Sequence, residues 1–148
     1  MDKVLLDTDI LSEITKRKNW KVIQKSDQYY QEHKRWTTSI FTVIEVLKGF
    51  YKKEMIEKAN KFLLSIPTWE VLNLDLDSAH VASKIYADLE RTGQPIGRCD
   101  PMIASIAIRN NLILVTGNKD HYERIKKLGY PLRAYPKNII FCNSHPKI

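Results

Sequence analysis

The sequence is poor in the residues that build special-purpose chains. Its two cysteines, Cys99 and Cys142, stand far apart with no CxxC spacing. That excludes a disulfide framework and a four-ligand zinc site, and leaves each as a small apolar residue, buried or half-buried. Five glycines and six prolines exclude a collagen-like or linker-dominated chain. No apolar run approaches the roughly 20 residues that a membrane helix needs. Met1 to Leu6 carries no charged n-region followed by a long apolar core, so no signal peptide is expected and the chain is assigned to the cytoplasm. No internal repeat is present.

What remains is the balance of one globular domain: 148 residues, 43% hydrophobic and 28% charged. Lys and Arg number 24 against 17 Asp and Glu, a net charge of +7. A basic domain attracts polyanions such as nucleic acid, acidic proteins or anionic lipid. Acidic residues in apolar surroundings run against that balance and draw attention.

Strand and helix signals alternate along the chain. Lys3–Leu6 is β-like and ends at Asp7. Thr8 and Asp9 suit a helix start, and Ile10–Lys16 continues it. Asn19–His33 is a second helix, Trp36–Ser39 a short β run. Ser39 can cap a helix over Ile40–Tyr51, and Lys53–Ser65 gives another, ended by Pro67. Glu70–Leu74 is a strand, with Asp75 or Asp77 capping a helix through Leu89. Thr92–Arg98 is a Gly- and Pro-containing loop. Asp100 before Pro101 fits an N-cap for a helix through Arg109. Leu112–Val115 is wholly apolar, as inside a parallel sheet. Gly117 and Asn118 form a turn, His121–Leu128 a short helix, and Leu132–Ala134 and Asn138–Phe141 weak β runs. The pattern predicts an α/β domain with a parallel sheet covered by helices on both faces.

In open α/β sheets, ligands gather at the carboxyl ends of strands. There the sequence offers Asp7 and Asp9, then Asp75 and Asp77, then Thr116, Asn118 and Asp120, with Asp100 at a helix start. Glu45 stands in Ile40-Phe41-Thr42-Val43-Ile44-Glu45-Val46-Leu47, apolar on nearly every side. A carboxylate held there needs a raised pKa, a salt bridge or a metal ion. Each acid also has a plainer role. Asp7 and Asp100 can cap helices, Asp120 can serve a turn, and Glu45 can face solvent beside Lys48 or Lys52. Capping and metal binding are compatible, since a carboxylate has two oxygens. Taken together, Asp7, Glu45, Asp100 and Asp120 form a set whose mutual repulsion a hard divalent cation relieves. All-oxygen ligation suits Mg²⁺ or Mn²⁺, which can activate water against a phosphate. An acidic pocket in a basic surface is what a nuclease requires.

These residues resemble those of the PIN-domain ribonucleases, most closely the VapC-type toxins of toxin–antitoxin pairs. Val4–Glu13 (VLLDTDILSE) resembles the opening strand with its first metal-ligating acid, Asp7. Thr38–Gly49 (TSIFTVIEVLKG) resembles the helix of the second acid, Glu45. Ile96–Ala107 (IGRCDPMIASIA) resembles the stretch of the third, Asp100. Leu114–Tyr122 (LVTGNKDHY) resembles the segment where a fourth acid often sits near a Thr or Ser. Two departures stand out: Asp9 replaces the common Asn, and Asn118 and Asp120 occupy the two places open to the fourth acid. Asp9, Thr116 and Asn118 are then supporting residues, and Arg98, beside Asp100, is a candidate for a phosphate contact or for steadying the carboxylates. The resemblance implies a PIN fold over 1–148, with its core over about 3–128 and a C-terminal strand or tail over 129–148. Four to five short parallel strands would lie between helices. It also implies Mg²⁺- or Mn²⁺-dependent hydrolysis of tRNA, rRNA or mRNA, a homodimer, and a cognate antitoxin.

Two other classes are weighed. LLDTD and LILVTGN resemble pieces of haloacid-dehalogenase-type phosphatases, but no acidic pair of the GDxxxD kind follows Asn118. A catalytically weak PIN-like module that only binds RNA or protein is the other. His33, His80, His121 and His145 show no ligand spacing and are assigned to the surface or to ordinary hydrogen bonds. Trp20, Trp36 and Trp69 are assigned to packing. The nuclease reading requires Asp7, Glu45 and Asp100 to meet at one cation-sized place.

Overall fold

A computed structural model of the chain describes residues 1–135. Its strands are β1 (Val4–Leu6), β2 (Thr37–Ser39), β3 (Glu70–Leu72), β4 (Ile113–Val115) and β5 (Ala134–Tyr135). They form one sheet in the order β3-β2-β1-β4-β5, with every neighbouring pair parallel. The helices are α1 (Thr8–Lys16), α2 (Trp20–His33), α3 (Ile40–Lys52), α4 (Ile56–Ser65), α5 (Leu76–Arg91), α6 (Asp100–Arg109) and α7 (Lys119–Lys127). A 3₁₀ turn over Ile66–Thr68 holds Pro67. This is the expected α/β architecture, with a strand count inside the predicted range. Among the described residues, no helix is long and apolar enough to cross a membrane.

The period-two geometry of the strands builds two cores. Leu5 and Leu114 turn to one face and join Ile85, Ile103, Ile106, Tyr122 and Ile125 from α5, α6 and α7. Val4, Leu6, Ile113 and Val115 turn to the other and meet Ile10 of α1 and Tyr29 of α2. Both faces of β1 and β4 are thus buried, which explains their unbroken apolar runs. Trp36 and Trp69 pack against the second core as predicted. Trp20 does not: it is 67% exposed at the first residue of α2.

The chain steps from β1 to β2 to β3 on one side, then α5 and α6 return it to β4 and β5 on the other. The direction of winding therefore reverses between β1 and β4, and a crevice opens at their carboxyl ends.

Several predicted boundaries move for local reasons. The helix expected over Lys53–Ser65 starts only at Ile56, because Glu54 takes a left-handed conformation (φ 56°) and breaks the chain after α3. β3 ends at Leu72, and Asp75 then caps α5 by accepting from Ser78 N at 2.7 Å. The run expected at Leu132–Ala134 lies at Ala134–Tyr135, since Leu132 N is used in a turn to Tyr130 O at 2.8 Å. The run expected at Asn138–Phe141 lies outside the described residues.

Candidate active site

Leu6 and Val115 are paired across the central ladder, so the next residues, Asp7 and Thr116, emerge side by side. Asp7 N donates to Val115 O at 3.1 Å. The Asp7 carboxylate accepts from Thr8 N at 2.8 Å and from the Thr116 hydroxyl at 2.8 Å. Asp7 therefore caps α1 through Oδ1, as the plainer expectation had it, while Oδ2 accepts from Thr116, and the residue lines the crevice as well. It is buried, and loss of water pushes its pKa up to about 6. The two hydrogen bonds oppose that rise, while the charges of Asp9 and Glu45 add to it.

Glu45 reaches the same place from α3, which the Ser39 side chain starts by accepting from Thr42 N at 3.2 Å. Its carboxylate is half-buried and accepts from the Thr8 hydroxyl. Among the described residues it forms no ion pair with Lys48 or Lys52, so the solvent-facing alternative fails.

Asp100 is not the N-cap that its place before Pro101 suggested. Cys99 takes that position without a side-chain cap bond, and Asp100 is the first helical residue of α6. Its buried carboxylate turns instead to α7, accepting from His121 Nδ1 at 2.6 Å and from the Tyr122 hydroxyl at 3.3 Å. The Asn118 amide nitrogen lies 3.1 Å from the same His121 nitrogen. The Tyr122 phenol is pushed well above its usual pKa by burial and by the charges of Asp7, Asp100 and Glu45. The Cys99 thiol is raised by burial and then by Glu45 and Asp100, which leaves it a poor nucleophile.

Asp7, Thr8, Asp9, Glu45, Asp100, Gly117 and Asn118 line one open cleft of about 300 Å³. Two glycines make room for its carboxylates. A Cβ on Gly97 would stand 2.6 Å from Asp100 Oδ2, and one on Gly117 only 1.9 Å from Asp9 Oδ2. The other predicted residues lie elsewhere. Asp120 is exposed and lines a separate depression with Lys119, Glu123, Arg124 and Lys127. The Arg98 side chain is exposed, and its backbone carbonyl accepts from the Tyr86 hydroxyl. Asp75 is committed to its cap, and Asp77 pairs with Arg109 at 3.1 Å.

Sequence reasoning missed three participants: Thr8, His121 and Tyr122. His121 is partly exposed and hydrogen-bonded, within the expectation for the histidines, but its partner is the site carboxylate Asp100. The signal available was its spacing from Asn118, three residues along one helix face.

The donor set of the cleft suits a hard divalent cation: all oxygen, mostly carboxylate, with a buried Asp7 that has no cationic partner among the described residues. As they stand, the side chains do not enclose one. Among the described residues, no three carboxylate, imidazole or thiol groups are gathered at ligand spacing. Asp7, Glu45 and Asp100 are each turned toward a protein donor. The chemistry of the set fits such a cation.

The PIN domain family matches residues 4–128. The chain belongs to this family, whose ribonucleases are metal-dependent hydrolases, and within it to the VapC-type proteins. Ribonuclease VapC1 of Methanocaldococcus jannaschii is 31% identical over 137 residues, covering 91% of this chain and 88% of that one. The tRNA(fMet)-specific endonuclease VapC of Shigella flexneri is 31% identical over 126 residues, covering 84% and 93%. Among solved structures, DNA-bound VapBC from Salmonella typhimurium superposes with a TM-score of 0.74 at 29% identity, covering 93% of this chain and 99% of its counterpart.

Proposed function

We propose that the cleft is the active site of a Mg²⁺- or Mn²⁺-dependent endoribonuclease, the toxin of a toxin–antitoxin pair. The observation that carries this is the convergence of Asp7, Asp9, Glu45 and Asp100 on one opening at the reversal point of a parallel sheet, in a chain of net charge +7. Asp7, Glu45 and Asp100 are the residues that would hold the cation. When bound, it supplies an activated water and offsets charge on the phosphate in an in-line displacement.

The chain's own groups do the rest. Thr8 and Thr116 fix the carboxylate plane of Asp7, and Thr8 ties Glu45 to the same anchor. His121 and Tyr122 fix Asp100. Asn118 offers an amide at the rim, toward the sugar–phosphate backbone. The positive surface draws the RNA strand in, and that attraction weakens with salt. A tRNA is the first substrate to test, because a relative of 31% identity is named for tRNA(fMet). A cognate antitoxin that covers the cleft, a cytoplasmic location and a homodimer complete the reading. The solved VapBC relatives support the antitoxin.

The test is cleavage of a labelled tRNA by purified protein with Mn²⁺, with EDTA, and with Asp100→Ala. Cleavage should require the ion and vanish in Asp100→Ala, which keeps the native circular dichroism spectrum. Undiminished cleavage by Asp100→Ala, or in EDTA, would overturn the assignment. RNA binding without cleavage would favour a binding module, and a phosphorylated Asp7 a phosphatase.

A further inference from the structure

The four carboxylates of the cleft are not equivalent. Asp7 accepts from Thr8 N and Thr116, Glu45 from the Thr8 hydroxyl, and Asp100 from His121 and Tyr122. Among the described residues, no hydrogen-bond donor reaches the Asp9 carboxylate. It projects from the first turn of α1 and lies over Gly117, where a Cβ would meet Oδ2 at 1.9 Å. Gly117 adjoins Asn118, and both line the cleft with Asp9. Asp120 is exposed and lines a different depression.

We propose that Asp9, and not Asp120, supplies the fourth carboxylate to the cation of this cleft. The segment after β4 presents a neutral amide, Asn118, at the rim. The matching negative charge comes from the other side of the crevice, across Gly117. Asp9 is the pocket acid with uncommitted oxygens, so it can turn to a cation without giving up a protein hydrogen bond. Its position in the first turn of α1 also suits the helix dipole. That benefit alone would leave cation affinity untouched, so the two roles separate by experiment.

The inference rests on the cleft being a cation site, and the experiment tests the two apart. Mn²⁺ binding is measured by calorimetry on the full chain for the wild type, Asp9→Asn, Asp9→Ser, Asp120→Asn and the double variant Asp9→Asn/Asn118→Asp. Thermal melting follows each. Both Asp9 variants should lose affinity by about tenfold or more, as removal of a carboxylate near a metal does. Asp120→Asn should bind as the wild type does. The double variant should regain affinity, because it returns a carboxylate to the same rim. Wild-type affinity in either Asp9 variant, or an equal loss in Asp120→Asn, would refute the proposal while leaving the cleft a cation site. Absence of Mn²⁺ binding by the wild type would overturn both.

Discussion

Thr116 donates its hydroxyl proton to Asp7 Oδ2 at 2.8 Å, joining residues 109 positions apart at the ends of two paired strands. Both are buried. Thr116→Val keeps the shape and removes the donor. A buried carboxylate that loses a partner costs about 1–3 kcal/mol. Urea unfolding should show this loss above neutral pH, where Asp7 is ionised, and a smaller one in acid. Equal losses at both ends would mean that the hydroxyl matters as the acceptor of Asn118 N, which donates to it at 2.9 Å, rather than as the donor to the carboxylate.

Asp7 also sets a pH dependence. Its carboxyl titrates at 3.8 when solvated and at about 6 in the fold. At low pH both states are protonated and burial carries no charge penalty. As pH rises between those values, the unfolded chain releases its proton first, so native stability falls. Above about 6 the penalty is complete, on the order of 3 kcal/mol. Metal-free Asp7→Asn should therefore be more stable than the wild type near pH 8, with the gap closing toward pH 4. Adding Mn²⁺ should narrow or reverse it, since a cation favours the ionised carboxyl. Denaturation in EDTA across this range is the measurement, and a wild type as stable as the variant near pH 8 contradicts it.

The parts of this site legible in the sequence were those with local cues. VLL and LILV announced β1 and β4 by unbroken apolar runs, so Asp7 and Thr116 could be placed at strand ends. Glu45 stood out because its neighbours are apolar. Asp120 and His121 had no such cue. Successive residues on a helix point about 100° apart, so only the rotation of α7 decides which one faces the cleft. Burial of Tyr122 and Ile125 fixes that rotation and turns Asp120 outward. The start of α4 was equally hidden, because it depends on a left-handed Glu54, a residue type with no preference for that conformation.

Gly97→Ala tests whether the carboxylate position matters more than the fold. The new Cβ would stand 2.6 Å from Asp100 Oδ2 and 3.1 Å from its Cγ. The group that must yield is the end of a side chain, so the fold should survive with little change in melting temperature. Asp100 would turn from His121, and cleavage should fall by about tenfold or more, since an ångström of misplacement is costly in catalysis. Wild-type turnover in Gly97→Ala would show that Asp100 works equally well from another rotamer.

His121 is a positioning residue, acting on the reaction through Asp100. Its ring is partly exposed, with a third of the side chain open to solvent, so His121→Ala should cost little stability. It should lower both Mn²⁺ affinity and turnover by about tenfold, the scale of partners that orient a ligating side chain. His121→Asn should restore most of both, because its amide nitrogen can stand where Nδ1 stands, 2.6 Å from Asp100 Oδ2. His121→Gln, one bond longer, should restore less. This ordering separates positioning from a direct proton-transfer role. An amide cannot take up or release a proton at neutral pH, so inactive Asn and Gln variants that still bind Mn²⁺ normally would assign His121 to the proton itself.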